Sequence, residues 1–503
     1  MSSTKNLIIF ILLLSSSLLA QFGQNKVQFK EFDWYFIQTK HFDIYFTSEG
    51  KEIAEFTSRA AEDALESIQN DFDYLINNRV SLIVYNSHND FQETNTTGAY
   101  LGQGTGGFTE PFKNRVVFPF EGSYKKFRHV IHHELVHAVM RDMLYGGTLQ
   151  NIIAKNITLQ LPHWYHEGMA EYQASGWETN TDMFIRDAIM NENLPEIKRL
   201  SGYWGYRGGQ SVIAYIARIY GEQKIGEILH KTQSTGSLED GLKASIGLDL
   251  EELNDRWKNY FKKQYWPEIE FRKNPDEFSK RLTDHEEDGG FYYASPAISP
   301  QGDKIIFISD RDIYLDVYIM DANSGEITKK IIESGKTHNF EELNILYPSM
   351  TWAPDNKRIA LSLKSEGWDR IYLFNTEEED YEELPFKMNG IESVSWSSDG
   401  SKLVFNANNT QQSDLYLYDL EKKELRNLTS DVFSESDPRW GVDNKTVFFS
   451  SDRGKFTDPT KIPDNFDIYY HNFRNLDLYS IDTETLKVTR LTNWELSDET
   501  SAN

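Results

Sequence analysis

The sequence contains no cysteine among its 503 residues. This absence excludes a disulfide framework, a cysteine nucleophile and a lipid-modified cysteine after a signal sequence. It is compatible with an exported bacterial protein that folds without disulfides.

Positive charge is also scarce, because 52 lysines and arginines stand against 78 aspartates and glutamates, giving a net charge of −26 at pH 7. A chain this acidic is repelled by phosphate backbones and by anionic lipid headgroups. Nucleic acids and anionic membrane surfaces are therefore not expected as partners. The length and the hydrophobic fraction of 39% allow two or three domains with sizeable cores.

Long apolar runs are missing apart from one at the N-terminus. Lys5 precedes an apolar run at residues 7–14, and small residues follow as far as Ala20. This pattern predicts a signal peptide over residues 1–20. An uncleaved anchor is the alternative, although the run is short for a bilayer span of about 20 residues. We therefore expect an exported protein, periplasmic or secreted, with no integral membrane segment after signal cleavage.

A zinc-binding motif of the form HExxH is present at His133, Glu134 and His137. Residues four apart on a helix share one face, so the two imidazoles can bind one Zn²⁺. Glu134 can then act as the general base towards a water at the metal. Apolar residues recur at helical spacing within residues 127–144, and Gly146 follows as a stop signal. The motif needs a third protein ligand to complete a catalytic zinc site.

The segment at residues 161–172 reads LPHWYHEGMAEY. With HExxH before it, this segment resembles the gluzincin metallopeptidases of the peptidase-MA-like branch, in which a P-x-W-x-x-E-G-x-A-E-Y helix follows HExxH. The matching residues are Pro162, Trp164, Glu167, Gly168, Ala170, Glu171 and Tyr172. The resemblance implies that Glu167 is the third ligand of a zinc-dependent peptidase.

Other ligand sets are less favoured by the sequence. A third histidine six residues after His137 is absent, because that position is Met143. His166 is the next candidate for the third ligand, although neighbouring helix residues point about 100° apart. Glu171 lies on the same helix face as Glu167, and it either orients a ligand histidine or is a solvated or capping carboxylate.

Hydrolysis through a tetrahedral oxyanion also needs a hydroxyl or an imidazole to stabilise the negative charge. Tyr206 is the first candidate and Tyr203 the second, both just before an apolar helix at residues 212–220. The alternative for each is a core aromatic side chain.

The N-terminal part of the chain mixes strand and helix patterns. Strands are predicted at residues 42–46 and 80–85, with an amphipathic helix at 52–75 between them. Zincin folds commonly bind the peptide substrate by strand addition at the sheet edge. Residues 115–118 and 106–109 are both candidates for that edge.

After a charged linker at residues 268–281, the composition changes to short strands and turns, and an internal repeat appears. Turn strings begin at Ser299, Ala353, Ser397 and Gly441, which are 54, 44 and 44 residues apart. Each is followed by two strand patterns, which predicts propeller blades. These strings resemble the TolB-like propeller repeats over about residues 282–503.

The expected architecture is thus an α+β zincin-like metallopeptidase domain at residues 27–267, a linker, and an all-β propeller of at least four blades. Residues 497–499 resemble the start of a further repeat. Either four blades close, or the chain is truncated relative to a longer protein, which the repeat favours. An insertion at residues 454–475 is either a binding loop or a variable surface loop.

Two functions from different classes remain. The first is an exported zinc metallopeptidase that hydrolyses peptide bonds in a peptide or protein substrate, with the propeller binding the substrate or a protein partner. The second is a non-catalytic envelope binding or scaffold protein that acts through the propeller. The presence of all four residues of the proposed site favours the first.

Overall fold

A computed structural model describes residues 26, 28–110, 115–146, 159–335, 340–347, 349–408, 410–495 and 497–501. The predicted signal peptide lies outside these residues. No helix in the described part of the chain is long and apolar enough to cross a membrane.

A five-stranded sheet forms one layer of the N-terminal domain. Its strands are β1 (Trp34–Gln38), β2 (Phe42–Thr47), β3 (Val80–Tyr85), β4 (Phe108–Thr109) and β5 (Arg115–Pro119), in the spatial order β1-β2-β3-β5-β4. The central pairs β2–β3 and β3–β5 are parallel, whereas β4 is antiparallel to β5. Of the two segments predicted as a sheet edge, β4 lies at the edge and β5 lies inside the sheet.

Helices supply the second layer and the rest of the domain. They are α1 (Lys51–Phe72), α2 (His88–Gln92), α3 (Tyr124–Tyr145), α4 (His163–Ser175), α5 (Thr179–Met190), α6 (Tyr203–Tyr220), α7 (Gln223–Thr235), α8 (Leu238–Ile246) and α9 (Leu250–Tyr265). α1 and α3 pack against each other and against the sheet within one apolar core. The amphipathic pattern of α1 accounts for this, because Ile53, Phe56 and Ile68 are fully buried on one face.

α3, the helix that carries HExxH, begins and ends with standard capping groups. The hydroxyl of Ser123 accepts a hydrogen bond from the main-chain N–H of Lys126 (3.4 Å). Gly146 follows the last turn with a φ of 72°, in the left-handed region that glycine adopts without a Cβ penalty. The helix and its stop are therefore confirmed.

α4 and α6 approach each other closely through two glycines. A Cβ on Gly168 would collide with the main chain of Gly209, and a Cβ on Gly209 would collide with the carbonyl oxygen of Trp164. Only glycine allows the two backbones to lie this near. Because Glu167 is on α4 and Tyr206 is on α6, this contact sets their relative position.

In the C-terminal part, the residues that the structure describes form four antiparallel sheets in chain order. The first has β6 (Tyr293–Ile298), β7 (Lys304–Asp312), β8 (Tyr314–Asp321) and β9 (Ile327–Ile332); the second has β10 (Glu342–Leu343), β11 (Met350–Trp352), β12 (Arg358–Ser365), β13 (Trp368–Asn375) and β14 (Tyr381–Glu383). The third has β15 (Gly390–Trp396), β16 (Lys402–Asn408), β17 (Ser413–Asp419) and β18 (Glu424–Asn427); the fourth has β19 (Glu435–Trp440), β20 (Thr446–Ser451), β21 (Asp477–Asp482) and β22 (Val488–Arg490). Apolar clusters join the first sheet to the second, the second to the third and the third to the fourth.

The repeated turn strings have a backbone reason. The fourth residue of each string is Gly302, Asn356, Gly400 or Asn444, and all four have a φ between 54° and 78°. Glycine and asparagine are the residues that adopt this left-handed conformation most readily. The predicted fold class, a zincin-like α+β domain followed by propeller blades, is confirmed.

The insertion at residues 454–475 packs on the N-terminal domain. The ring of Phe473 is buried, with its centroid 5.7 Å from that of Phe56 and 6.4 Å from that of Tyr124. Nη2 of Arg59 on α1 donates to Oδ1 of Asp467 (2.9 Å). The insertion is therefore an interdomain contact.

Polar groups also contribute to the contact between the two parts of the chain. Nδ2 of Asn408 donates to the main-chain oxygens of Asn86 (3.1 Å) and Phe120 (3.0 Å), which directly follow β3 and β5. Nδ2 of Asn89 donates to Oδ1 of Asp369 (2.8 Å). The propeller thus contacts the carboxyl ends of the parallel strands, while the exact domain boundaries stay a prediction.

Candidate metal centre

The three side chains predicted as metal ligands converge on one point. Nε2 of His133 lies 3.2 Å from Nε2 of His137 and 3.3 Å from Oε2 of Glu167, and Nε2 of His137 lies 3.2 Å from the same oxygen. α3 supplies both imidazoles from consecutive turns, and α4 supplies the carboxylate. Sequence spacing therefore brings the two histidines together, and the packing of α4 on α3 adds the third group.

The geometry of these atoms fits a small divalent cation. Ligand atoms held tetrahedrally at about 2.0–2.2 Å from one metal are separated from each other by about 3.4 Å. Two imidazole nitrogens and one carboxylate oxygen are a donor set that catalytic zinc sites use, and three protein ligands leave a fourth position open. The residues present therefore fit Zn²⁺.

Burial and mutual charge perturb the pKa values of all three residues. Burial alone would raise the pKa of Glu167, but hydrogen bonds with His133, His137 and His166 outweigh it and hold that pKa far below its ordinary range. Burial lowers the pKa of His133, yet the nearby carboxylates outweigh this effect and raise it to about 10. Burial and the neighbouring His166 lower the pKa of His137. Glu167 is thus ionised, and its negative charge attracts a cation.

Glu171 lies behind His133 and is only 6% exposed. Its Oε1 is 3.1 Å from Nδ1 of His133, on the side of the ring opposite the converging Nε2. Nη1 of Arg207 donates to Oε2 of the same carboxylate (3.2 Å). The solvated alternative for Glu171 is therefore wrong, and its position suits orientation of the His133 ring.

A second group of possible metal ligands overlaps the first. His129, His133 and Glu171 also bring donor atoms within reach of each other. In this group Nδ1 of His129 and the hydroxyl of Ser175 are already hydrogen-bonded to each other (2.8 Å). Glu171 faces Nδ1 of His133, whereas Nε2 of the same ring faces His137 and Glu167. We therefore interpret His129 and Glu171 as residues that orient His133 and not as a separate metal site.

Glu134 is buried beside the edge strand β4. The hydroxyl of Thr109 lies 2.8 Å from Oε2 of Glu134 and 3.0 Å from its main-chain oxygen, and it can donate to either. Burial raises the pKa of Glu134, and the positive charge of His133 partly opposes this shift. A Cβ on Gly107 would lie 3.1 Å from Cγ of Glu134. The edge of the sheet therefore passes directly over this carboxylate.

Tyr206, the first candidate from the sequence for the oxyanion donor, lies against His133. Its ring is stacked on that of His133, with centroids 6.0 Å apart and an interplanar angle of 16°. Burial and the charges of Glu167, Glu134 and Glu171 raise the pKa of its hydroxyl. Tyr203, the second candidate, is 59% exposed, and its hydroxyl accepts a hydrogen bond from Nε of Arg207 (3.1 Å).

His166, the alternative third ligand, stacks on His137 instead of joining the donor atoms. The two ring centroids are 3.9 Å apart with an interplanar angle of 5°. Neither group of possible metal ligands found among the described residues includes His166.

Two residues near Glu134 were not selected from the sequence. Thr109 provides the hydroxyl described above, and Arg141 donates to the main-chain oxygen of Thr109. Arg141 follows His137 by four residues on the same helix face, so helical spacing could have identified it. The hydroxyl of Thr109 comes from a distant strand and had no such signal.

Comparisons with known proteins agree with these observations. Residues 60–263 match the family model described as the Peptidase MA superfamily. A search of curated proteins finds no match.

Several solved structures resemble part of the chain. TolB from Acinetobacter baumannii is 17% identical with a TM-score of 0.30, and the match covers 41% of this chain and 45% of that one. Hydrazine synthase from Kuenenia stuttgartiensis is 16% identical with a TM-score of 0.28, and the match covers 40% of this chain and 55% of that one. The β-propeller domain of the trilobed protease from Pyrococcus furiosus is 15% identical with a TM-score of 0.26, and the match covers 40% of this chain and 57% of that one. The chain thus spans about half the length of these structures. The family match confirms the predicted resemblance, and residues 60–263 carry a peptidase-MA-like domain.

Proposed function

We propose that this protein is an exported zinc-dependent metallopeptidase that hydrolyses peptide bonds in peptide or protein substrates. The observation that carries the proposal is the convergence of His133, His137 and Glu167, with donor atoms 3.2–3.3 Å apart, beside the buried carboxylate of Glu134. The match of the surrounding residues to the Peptidase MA superfamily supports it.

His133, His137 and Glu167 are the residues that would hold the metal. A zinc ion bound there would make a water acidic enough to lose a proton near neutral pH and would polarise a substrate carbonyl group. Glu171, 3.1 Å from Nδ1 of His133, would hold the ring so that Nε2 stays directed at Oε2 of Glu167 and Nε2 of His137.

Glu134 is the general base in this proposal. The hydroxyl of Thr109 contacts Oε2, which leaves Oε1 to accept the proton of the attacking water. Burial raises the pKa of Glu134, which makes its carboxylate a better proton acceptor; the proton that it takes from the water then passes to the nitrogen of the leaving amine as the C–N bond breaks.

Tyr206 is the proposed donor to the oxyanion. Because burial and nearby carboxylates raise the pKa of its hydroxyl, the group stays protonated at neutral pH and can donate a hydrogen bond. Its ring is held by the stacking against His133 and by an edge contact with His163, with centroids 5.7 Å apart.

The edge strand β4 is the proposed binding site for the extended substrate. The N–H of Glu110 donates to the main-chain oxygen of Arg115, so residues 108 and 110 direct their main-chain groups towards β5. The main chains of Gly107 and Thr109 therefore point outwards, and Arg141 donates to the oxygen of Thr109. Gly107 is left to pair with a peptide by strand addition, next to Glu134.

The remaining parts of the proposal concern the rest of the chain. Residues 1–20 direct export, residues 27–267 form the peptidase domain, and the propeller at residues 282–503 binds a substrate or a protein partner. The acidic net charge of −26 favours a partner that is not itself acidic.

Metal analysis together with a peptide-library digest tests the proposal. The purified protein should contain one zinc per chain, and Glu167→Ala should lose most of it. Glu134→Gln keeps the size of the side chain and removes its basicity, so we expect normal zinc content and a loss of activity by about 10³-fold or more.

Asp142→Asn is a matched control for Glu134→Gln. Asp142 is a buried carboxylate on the same helix whose Oδ2 accepts from the hydroxyl of Tyr74 (2.8 Å). This variant should keep both zinc and activity. If the wild type cleaves no peptide, or if Glu134→Gln cleaves as well as the wild type, the non-catalytic binding or scaffold function takes its place.

A further inference from the structure

The loop that leads into the edge strand β4 is held by the propeller. The main-chain N–H of Gln103 donates to Oε1 of Glu342 on β10 (2.9 Å). In return, the main-chain N–H of Ile345 donates to the side-chain oxygen of Gln103 (3.0 Å). The two segments are thus joined by a reciprocal pair of hydrogen bonds between the domains.

The second oxygen of Glu342 holds the other end of the same loop. Nε2 of Gln92 donates to Oε2 of Glu342 (2.7 Å) and to the main-chain oxygen of Leu101 (2.6 Å). Lys364, which pairs with Glu342 across β10 and β12, donates to the side-chain oxygen of Gln92. One carboxylate of the propeller therefore fixes both the start of the loop at α2 and its later part at residues 101–103.

Only four peptide steps separate Gln103 from Gly107. A chain of that length spans at most about 14 Å, so the position of Gln103 restricts where Gly107 can lie. Gly107 lies over Glu134, and Arg141 holds the next outward-facing residue, Thr109. The edge strand β4 is therefore held on one side by α3 and, through the loop before it, by the propeller on the other.

We infer that Glu342 is a positioning residue for the peptide substrate, acting through Gln103 and the main chain of Gly107. The inference rests on the proposed peptidase function, which it extends by giving the second propeller sheet a part in substrate binding. Without the carboxylate, the loop samples other positions, and an extended peptide must order the edge strand as it binds. Glu342 does not contact the metal ligands, so the chemical step itself is unaffected.

The test compares Glu342→Ala with the wild type in the full chain, using an extended peptide from the library digest. We expect KM to rise about tenfold, which corresponds to the loss of about one hydrogen bond to a charged group, while kcat and zinc content stay within about twofold. Amide hydrogen exchange should become faster at residues 100–109 and stay unchanged in α1 and α3.

Two further variants make the comparison specific. Glu342→Gln keeps one acceptor oxygen for the N–H of Gln103, so its KM should fall between those of the wild type and the alanine variant. Asp467→Asn weakens a different interdomain contact, the one with Arg59, and should leave KM and the exchange of residues 100–109 unchanged.

Several outcomes overturn the inference. They are an unchanged KM and exchange rate in Glu342→Ala, a fall in kcat or zinc at constant KM, or the same changes in Asp467→Asn. Should the alanine variant not fold, Glu342→Gln decides by the same criteria. If the wild type cleaves no peptide, the proposed peptidase function fails, and the role of Glu342 in substrate binding fails with it. If the wild type cleaves peptides but hydrogen exchange at residues 100–109 is unchanged in Glu342→Ala, only the role of Glu342 in holding the loop is refuted.

Discussion

Replacement of Glu171 by glutamine should weaken zinc binding without changing any metal ligand. The carboxylate lies 3.1 Å from Nδ1 of His133 and is 6% exposed. Glutamine has the same shape, but its uncharged amide attracts the imidazole less strongly than the carboxylate 3.1 Å from Nδ1 does, and it can present its NH₂ group instead. Loss of such an orienting partner typically costs 10–100-fold in metal affinity, which is about 1.4–2.7 kcal/mol.

The assay is a competition between the protein and a chromophoric zinc chelator at a fixed pH. Glu178→Gln is the matched control, because Glu178 also contacts Arg207 but does not contact His133. We expect the control to bind zinc as the wild type does. An equal loss in both variants would assign the effect to Arg207, and affinity within twofold of the wild type in Glu171→Gln would refute the orienting role.

Three further predictions follow from the geometry. Tyr206→Phe should lower kcat by about 10²-fold at unchanged zinc content, as measured by steady-state kinetics, because one oxyanion donor is lost; an unchanged kcat contradicts the role. Burial raises the pKa of Asp452 to about 7 from 3.8, so the folded chain holds a proton that the unfolded chain releases, and stability falls as pH rises from about 4 to 7. Asp452→Asn should therefore be more stable than the wild type at pH 8, by about 4 kcal/mol at most, with a smaller difference at pH 4 in denaturant titrations; a constant difference contradicts the argument. Proteolysis within residues 268–281 should leave two fragments that elute together on size exclusion, because the interdomain contacts remain; separate elution contradicts this.

The convergence of the two histidines proposed as metal ligands could be predicted because its signal is local. His133 and His137 are one helical turn apart, and the helix that carries them ends at Gly146, where the sequence placed the stop. Glu167 needed the longer motif and the family resemblance, since no spacing rule connects it to His137. Its place beside the histidines depends on the packing of α4 against α3 and α6.

The surroundings of Glu134 were less accessible from the sequence. Thr109 belongs to a strand of two residues, too short for any alternation pattern to reveal. Which of two segments forms the edge depends on strand order, and periodicity does not encode strand order. The sequence therefore does not distinguish residues 106–109 from residues 115–118 as the sheet edge, whereas the pairing of β4 with β5 does.

For the propeller as well, features set by local sequence could be predicted, whereas features set by distant contacts could not. Gly302 and Asn356 mark turns that require a positive φ, so repetition of these residues predicted the blades. The sequence could not decide whether the insertion at residues 454–475 is a binding loop or a variable surface loop. The residues that it contacts lie about 400 residues earlier in the chain, as in the pair Arg59 and Asp467.

The burial of Phe473 has a consequence for synthesis. Its ring belongs to the same apolar core as Phe56 and Tyr124, so the N-terminal domain lacks part of its interior until residue 473 has left the ribosome. At about 5–20 residues per second, translation from residue 265, the end of α9, to residue 473 takes roughly 10–40 s. During that interval the nascent domain exposes aromatic surface that a chaperone can bind. Any shortened gene that stops before residue 473 encodes a peptidase-MA-like domain that never receives this ring in its core.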